Sequence, residues 1–525
     1  MIYIDPPYNT GSDQFIYKDR YQHATWLTMM EERLRLARRL LAEDGVIFVS
    51  IDDNEQHRLR TLMELVFGPE NFIATVIWQK VFAPKNTARY FSEDHDFILV
   101  YAKDALKWQP GLLPRSEEAL QRYSNPDNDE RGDWASDNLL ARNPYSKGVY
   151  EVTSPSGKKF RKPTGTYWRV SYEKFLELDQ DRRIWWGAGG NGMPRLKRFF
   201  SEVKRGIIPQ TLWLYEDVGH TQDAKKELVA IVDFERNEDV LNTVKPTALV
   251  QRMLHIATQS GDRDTVLDFF AGSGTTGHAV INLNREDDGG RRFVLVEMGE
   301  HFDNILMPRI LRTMYCPTWK DGQPKDYPQL HLMEWPDWVE RTPRLVQVVR
   351  LEFYEDSLHN LVTPDTLERE QKRAAAYKKI MGEQAYRLHY LVRLPLESNA
   401  SMLSIDKLAH PFDYTLEVLT DEGPVVERID LVETFNALYG LQVEQIERWE
   451  HPEDGREYRA VMAKKNGKRV LVLWRDMEGL DVEQERAWLE PRIKGFDEVL
   501  INGNTAVPGI GSLDSVFKQQ MEGMA

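Results

Sequence analysis

Apolar positions along the first hundred residues follow two alternating rhythms. Met1 to Ile4 is an uninterrupted apolar run and reads as a short buried strand. From His23 to Leu41, the side chains of Trp26, Leu27, Met30, Leu34, Ala37 and Leu41 fall at helical spacing, and Gly45 is well placed to stop that helix. Val46 to Ile51 is a second β-rich run. Asp53 then stands where it would cap an amphipathic helix carrying Leu59, Leu62, Leu65 and Val66, which Gly68-Pro69 ends. Strand-like runs follow at Phe72–Trp78 and Phe97–Tyr101. This alternation of strand and helix predicts an α/β architecture built on a largely parallel sheet.

The rhythm stops near residue 105 and resumes at Lys245. In between, Pro, Gly, Asn and Asp are frequent and helical repeats are scarce. The stretch Gly187-Ala188-Gly189-Gly190-Asn191-Gly192-Met193-Pro194 predicts a turning loop, either a hairpin set against a ligand or a plain surface connection. From Lys245 the pattern gives a helix to Thr258, a strand over Thr265–Phe269, a helix after Gly274, a strand over Phe293–Glu297 and a helix through Ile305 and Ile310. Pro317, Pro324, Pro328, Pro336 and Pro343 punctuate a connector. Beyond it, helical segments such as Leu367–Met381 mix with strand-like ones at Arg469–Trp474 and Glu498–Ile501, which reads as a separate α+β domain. The expected divisions are 1–104, 105–240, 241–330 and 331–525. The sequence contains no internal repeat and no low-complexity tract.

Composition narrows the class. A chain of 525 residues can hold two to four domains with sizeable cores. A single cysteine, Cys316, excludes a disulfide framework and a multi-cysteine zinc site, and suits a reducing cytoplasm. No apolar run of about 18 residues and no charged-then-apolar leader is present, so a membrane span and a signal peptide are not expected. The net charge of -15 argues against a nucleic-acid partner until its distribution is read. Residues 141–210 hold 15 Lys and Arg against 6 Asp and Glu, whereas 401–525 hold 14 against 24. Phosphate contacts need a local basic surface, and the first stretch offers one. It interleaves Tyr167, Trp168, Trp185, Trp186, Phe199 and Phe200, rings that either fill a core or stack on bases, the core being the commoner fate.

Two motifs carry chemistry. Asp5-Pro6-Pro7-Tyr8 ends the first strand. Proline fixes φ and lacks an N–H, so the carbonyls here are rigid acceptors; Asp5 adds another acceptor and Tyr8 a ring face for a planar base. Downstream, Val266-Leu267-Asp268-Phe269-Phe270-Ala271-Gly272-Ser273-Gly274-Thr275-Thr276 runs from strand through glycine turn to helix. Such a turn lets backbone approach a ligand, whose polar groups meet the helix N-terminal amides. It is not a phosphate loop, because no lysine follows Gly274, and it fits GxGxxG only if Gly277 is stretched into the third position. Glu297 closes the next strand, where an acid commonly binds ribose hydroxyls.

Together these motifs resemble the β-group of amino-methyltransferases that act on DNA, in which the amino-group motif precedes the S-adenosylmethionine motif. The wider sequence resembles the modification subunit of Type III restriction–modification systems. Supporting stretches are Ile4-Asp5-Pro6-Pro7-Tyr8-Asn9-Thr10-Gly11, Asp44-Gly45-Val46-Ile47-Phe48-Val49-Ser50-Ile51-Asp52, Phe97-Ile98-Leu99-Val100-Tyr101 and Lys245-Pro246-Thr247-Ala248-Leu249-Val250. The resemblance is strongest over 1–105 and 240–300. It implies a doubly wound, mostly parallel methyltransferase sheet, a target-recognition insertion over 105–240, and methylation of adenine N6 in duplex DNA after base flipping. The catalytic residues it implies are Asp5, Pro6, Pro7 and Tyr8. On the cofactor side it implies Lys245, Asp268, Phe269, Gly272, Gly274, Thr275 and Glu297. The implied partners are double-stranded DNA, a second copy of the chain and a helicase–nuclease restriction subunit, all in the cytoplasm.

The chemistry needs no metal. The amino nitrogen of adenine is a poor nucleophile because its lone pair is delocalised, and acceptors on its N–H groups return charge to it and fix its orientation. N4-cytosine methylation on the same scaffold and a non-catalytic DNA-recognition or assembly subunit are the alternatives; methylation of an RNA base or a glutamine is a third. Relatives of this family carry sequence before the Asp-Pro-Pro-Tyr strand, whereas Met1 begins it here. The expectation is a truncated or mis-started product, with an uncovered sheet edge and an amino-terminal charge near the site.

Overall fold

A computed structural model of the chain describes residues 1–11, 21–84, 86–115, 117–203, 206–234, 240–241, 243–261, 263–325, 339, 341–342, 345–351, 408–420 and 423–522. The expected helix Leu367–Met381 and the prolines 328, 336 and 343 lie outside the described residues. The chain divides into two compact units, Met1–Leu345 and Val346–Ala525.

The first unit is built on a seven-stranded sheet. Its strands are β1 (Ile2–Ile4), β2 (Val46–Ile51), β3 (Phe72–Gln79), β4 (His95–Ala102), β5 (Leu212–Trp213), β6 (Thr265–Asp268) and β7 (Arg292–Leu295), in the order β5-β3-β4-β2-β1-β6-β7. The pairs β2–β1, β1–β6, β6–β7 and β5–β3 are parallel. Only β4 runs against its neighbours β2 and β3. The largely parallel expectation therefore holds with one exception, a β3–β4 hairpin whose direction the hydrophobic pattern could not specify.

Alternation along the strands sorts side chains onto two faces. On one face Tyr3, Val46, Phe48, Val76, Trp78, Ile98 and Val100 pack against helices α4 (Thr247–Ala257) and α5 (Thr275–Asp287). On the other, Ile2, Ile4, Ile47, Val49, Ile51, Leu99 and Tyr101 pack against α1 (His23–Leu40) and α2 (Gln56–Phe67). The sheet is thus doubly wound. In α2 the buried stripe is Leu59, Leu62, Met63, Val66 and Phe67, while Leu65 is exposed. Asp53 does not cap this helix, which starts after Glu55 with no side-chain cap. The preceding turn is held by Asp52, whose carboxylate accepts the Asn54 N–H at 3.0 Å.

The order corrects the expectation of an open edge at β1. This strand is central, pairing with β2 on one side and β6 on the other. Its amino group donates to the Thr265 carbonyl at 3.1 Å, at the opposite end of the strand from Asp5.

Residues between β4 and β5 form small sheets and helix α3 (Tyr172–Gln180) within the first unit. Trp134–Asn138, Arg195–Phe199 and Ile184–Trp185 make a three-stranded antiparallel sheet. The glycine-rich stretch is the turn of its outer hairpin, with Trp185 paired to Arg195. Trp168, Trp186 and Phe199 are buried, so half of these rings are core; Tyr167 and Trp185 are partly buried and Phe200 is exposed. Part of the local basic excess is paired with acids just outside the window counted. Buried Lys197 pairs with Asp127 and Asp129, and Arg169 and Arg198 pair with Asp137.

The second unit is α+β. Gln442–Glu450, Glu457–Lys465 and Lys468–Arg475 form an antiparallel meander, and Glu498–Ile501 and Gly511–Ser512 extend it in parallel. Helices Leu431–Tyr439 and Leu513–Glu522 contribute Phe435, Leu513 and Phe517 to its core. No helix among the described residues is long and apolar enough to cross a membrane.

Candidate active site

The winding direction of the first unit reverses between β1 and β6: the chain goes from β1 through α1 to β2 on one side, and from β6 through α5 to β7 on the other. In open α/β sheets a crevice opens at the carboxyl ends of such strands. Ile2 is paired with Leu267, so the strands leave the sheet side by side, one into Asp5 and the other into the glycine turn.

At the β1 end, Asp5 is held by a lysine. The Lys245 ammonium donates to Oδ1 at 2.7 Å and to Oδ2 at 2.6 Å. The same ammonium stands 5.0 Å from the centre of the Tyr8 ring, an attractive placement for a cation. Burial pushes the Asp5 carboxyl above the ordinary carboxylate range, and Lys245 pulls it back down. The Tyr8 hydroxyl donates to Asp96 at 3.3 Å, and Asp96, itself buried, takes a 2.6 Å bond from Lys80. Burial beside Asp5 and Asp96 pushes the Tyr8 phenol well up, so the ring stays neutral. The Pro7 carbonyl is not free, because it accepts the Trp26 indole N–H at 2.8 Å. The bond anchors the Pro-Pro turn to α1 and leaves the Pro6 carbonyl as the backbone acceptor without a partner among the described residues.

At the β6 end the backbone does most of the shaping. Asp268 is buried; its Oδ1 accepts the Phe270 N–H at 3.0 Å and its Oδ2 the Thr276 hydroxyl at 2.5 Å. Loss of hydration pushes its carboxyl up to about 7. Gly274 precedes α5 with φ 79, a left-handed conformation that disfavours a side chain, and a Cβ there would come within 3.2 Å of Leu306 Cγ. Gly277 corrects the sequence reading. Gly272-Ser273-Gly274-Thr275-Thr276-Gly277 has the full GxGxxG spacing without stretching. A Cβ on Gly277 would meet Ile310 Cδ1 at 2.6 Å and Leu295 Cδ1 at 3.0 Å, so this glycine lets α5 pack onto β7. Phe269 packs beside Phe270 at 5.5 Å between centroids, at the edge of the core that Tyr8 also covers. Glu297 turns back onto the loop, where its carboxylate accepts the amides of Gly272 at 2.7 Å and of Met298 and Gly299 at 2.8 Å each.

The two ends are physically linked. The Thr275 hydroxyl donates to the Lys245 carbonyl at 3.2 Å, so the residue that holds Asp5 is tied to the glycine turn. Fully buried Arg309, on helix α6 (Met307–Tyr315), donates to the hydroxyls of Ser273 and Thr275 at 2.9 Å each. Glu227 completes this buried support by accepting from Thr247 and facing Arg309. Desolvation and Arg309 push His278 well down, leaving a neutral imidazole that faces the guanidinium. Sequence reading missed Trp26, Lys80, Asp96, Glu227, Thr276 and Arg309. Lys80 and Asp96 had a visible signal: each is a charge at the end of an apolar strand on the side of the sheet where Asp5 emerges.

A family model described as DNA methylase matches residues 1–307. This chain belongs to the DNA methylase family. It is 34% identical over 340 residues to the Type III restriction-modification enzyme StyLTI Mod subunit of Salmonella typhimurium, covering 58% of this chain and 49% of that protein. It is 27% identical to the EcoP15I Mod subunit of Escherichia coli, covering 57% of this chain and 55% of that protein. It is 30% identical to the Type II methyltransferase M.KpnI of Klebsiella pneumoniae, covering 57% and 74%. The methylase chain spans about half the length of the Type III Mod subunits it matches.

Proposed function

We propose that this DNA methylase transfers a methyl group from S-adenosylmethionine to adenine N6 in double-stranded DNA, as the modification component of a restriction–modification system. One observation carries the reading: adjacent parallel strands deliver Asp5-Pro6-Pro7-Tyr8 and the Asp268–Thr275 turn to the same end of the sheet.

The β6 end fits the cofactor by the chemistry of its donors. An acid is aimed at the turn, and nothing would lie closer than 4.0 Å to a Cβ on Gly272, so the backbone is open to close approach. Asp268, Phe269, Gly272, Gly274 and Thr275 would hold the methionine part and lead into the nucleoside. Glu297 shapes the turn, and a ribose contact would require it to release one of three amides. When bound, S-adenosylmethionine supplies an electrophilic methyl. The chain's own residues then act on the amino group. The carboxylate of Asp5 and the carbonyl of Pro6 accept its two N–H groups, restoring charge to nitrogen and stabilising the positive charge that develops there. Pro7, fixed by Trp26, sets the carbonyl's direction. A duplex hides N6, so the base must leave the stack, and the Tyr8 ring is the surface that receives it. Residues 105–240 are assigned to target recognition, and a second copy and a restriction subunit to partnership.

The test is to incubate purified protein with tritiated S-adenosylmethionine and mixed-sequence duplex DNA, then digest to nucleosides. N6-methyladenine is expected. N4-methylcytosine would move the reading to the other amino base, and cofactor binding without any methylated nucleoside would leave a recognition subunit.

A further inference from the structure

Lys245 precedes α4 in a segment whose resemblance alone points to the cofactor, yet its side chain points at the acceptor. Both oxygens of Asp5 take a bond from its ammonium, and that ammonium is buried between the Tyr8 and Trp78 rings. Its backbone carbonyl is pinned by Thr275. We infer that Lys245 is a positioning residue that acts through Asp5, keeping this carboxylate an ionised, fixed acceptor for the amino group of the target base. The inference deepens the methyl-transfer reading and rests on it for its catalytic consequence.

The geometry makes the case. An ionised carboxylate has about four lone-pair sites. Lys245 uses one on each oxygen, which leaves sites for an amino N–H without displacing the lysine. Burial and the neighbouring carboxylates oppose its ionisation: Asp268 faces it from β6, and Asp96, paired with Lys80, faces it from the β3–β4 hairpin. Tyr3 lies on its own strand, and the Tyr8 hydroxyl, on its own turn, lowers the Asp5 carboxyl alongside Lys245. Lys245 is the cation that touches the carboxylate directly. Without it, burial and two neighbouring carboxylates favour a proton on Asp5, and a protonated oxygen would then present hydrogen to hydrogen at the amino group. The tie from Thr275 to Lys245 means that the same turn that receives the cofactor sets the position of the acceptor's partner.

The test compares Lys245→Met, Lys245→Gln and Lys245→Arg in the full chain. Asp5 titration is followed by carbon-13 NMR of labelled aspartates, with Asp5→Asn to assign the signal. S-adenosylmethionine affinity is measured by calorimetry without DNA, and single-turnover methyl transfer as a function of pH. The neutral variants are expected to raise the Asp5 titration by about one pH unit or more, and to lower transfer at pH near 7 at least about tenfold with recovery at higher pH. Cofactor affinity should change by less than about threefold, and Lys245→Arg should leave the Asp5 titration close to that of the unaltered chain. An unmoved Asp5 titration, or cofactor affinity that falls in parallel with the rate, would overturn the inference. If Lys245→Met does not fold, Lys245→Gln, which keeps an N–H donor, carries the same comparison. If the unaltered chain methylates no DNA, the functional reading fails while the titration still decides whether Lys245 governs Asp5.

Discussion

The two ends of the cleft are built by opposite means. At the β1 end, side chains do the work: Asp5 with Lys245, Asp96 with Lys80, and Tyr8 placed between the pairs. At the β6 end, main chain and glycine do it, with Asp268 and Glu297 holding amides rather than cations. The difference matches what each end would meet in the proposed methyl transfer. An amino group that must be turned toward a reacting carbon needs fixed acceptors of high charge, whereas a long, flexible cofactor needs a surface that lets it lie close. The first kind of site is sensitive to charge and the second to volume.

That contrast can be broken most forcefully at Asp5. Asp5→Asn swaps an acceptor oxygen for a donor and should lower single-turnover methyl transfer by about 10²–10³-fold while leaving S-adenosylmethionine affinity nearly unchanged. Equal losses in both would show that the ends are not separable. Next in size is volume at the other end. Gly274→Ala forces a side chain into the left-handed region against Leu306 and should cost about 1–2 kcal/mol in denaturant unfolding, with weaker cofactor binding and little effect on DNA binding.

The acidity of Asp268 sharpens the comparison further. Its folded-state pKa of about 7 lies above the ordinary carboxylate value. The folded chain therefore keeps a proton that the unfolded chain has released, so this group's stabilising contribution is full below about pH 4 and lost as pH rises through 7. Thermal unfolding followed across that range should show Asp268→Asn flattening the slope. Cofactor affinity should run the other way, rising with pH as Asp268 ionises and gains attraction for a cationic ligand. The smallest expected effect is at Trp26. Trp26→Phe removes one bond to the Pro7 carbonyl and should cost about 1 kcal/mol, with a modest fall in transfer rate.

Much of the scaffold was legible because β1, β2, β6 and their helices are continuous apolar runs or strict helical repeats, and burial on both faces leaves few other ways to place them. The adjacency of β1 and β6 followed from the rule for switch points, not from any contact visible in sequence. The antiparallel direction of β4 was not legible, since an apolar run such as Phe97–Tyr101 reads the same in either direction. The lysine–carboxylate pairs were missed for a different reason. Lys245 reads toward the cofactor, and neither it nor Lys80 shows its carboxylate partner until the fold brings Asp5 and Asp96 to them from 240 and 16 residues away. Charge counting over 141–210 overstated the unpaired basic surface, because Asp127, Asp129 and Asp137 lie outside the window and neutralise part of it.

The central claim is that acceptor and cofactor turn share one cleft. A bisubstrate compound joining the amino group of adenosine to the methyl-bearing end of an S-adenosylmethionine analogue measures this in a single calorimetric experiment. It should bind at least about 100-fold more tightly than either half alone, and lose that gain in Asp5→Asn. Affinity no better than that of the cofactor half would mean that the two strand ends do not meet around one reacting atom.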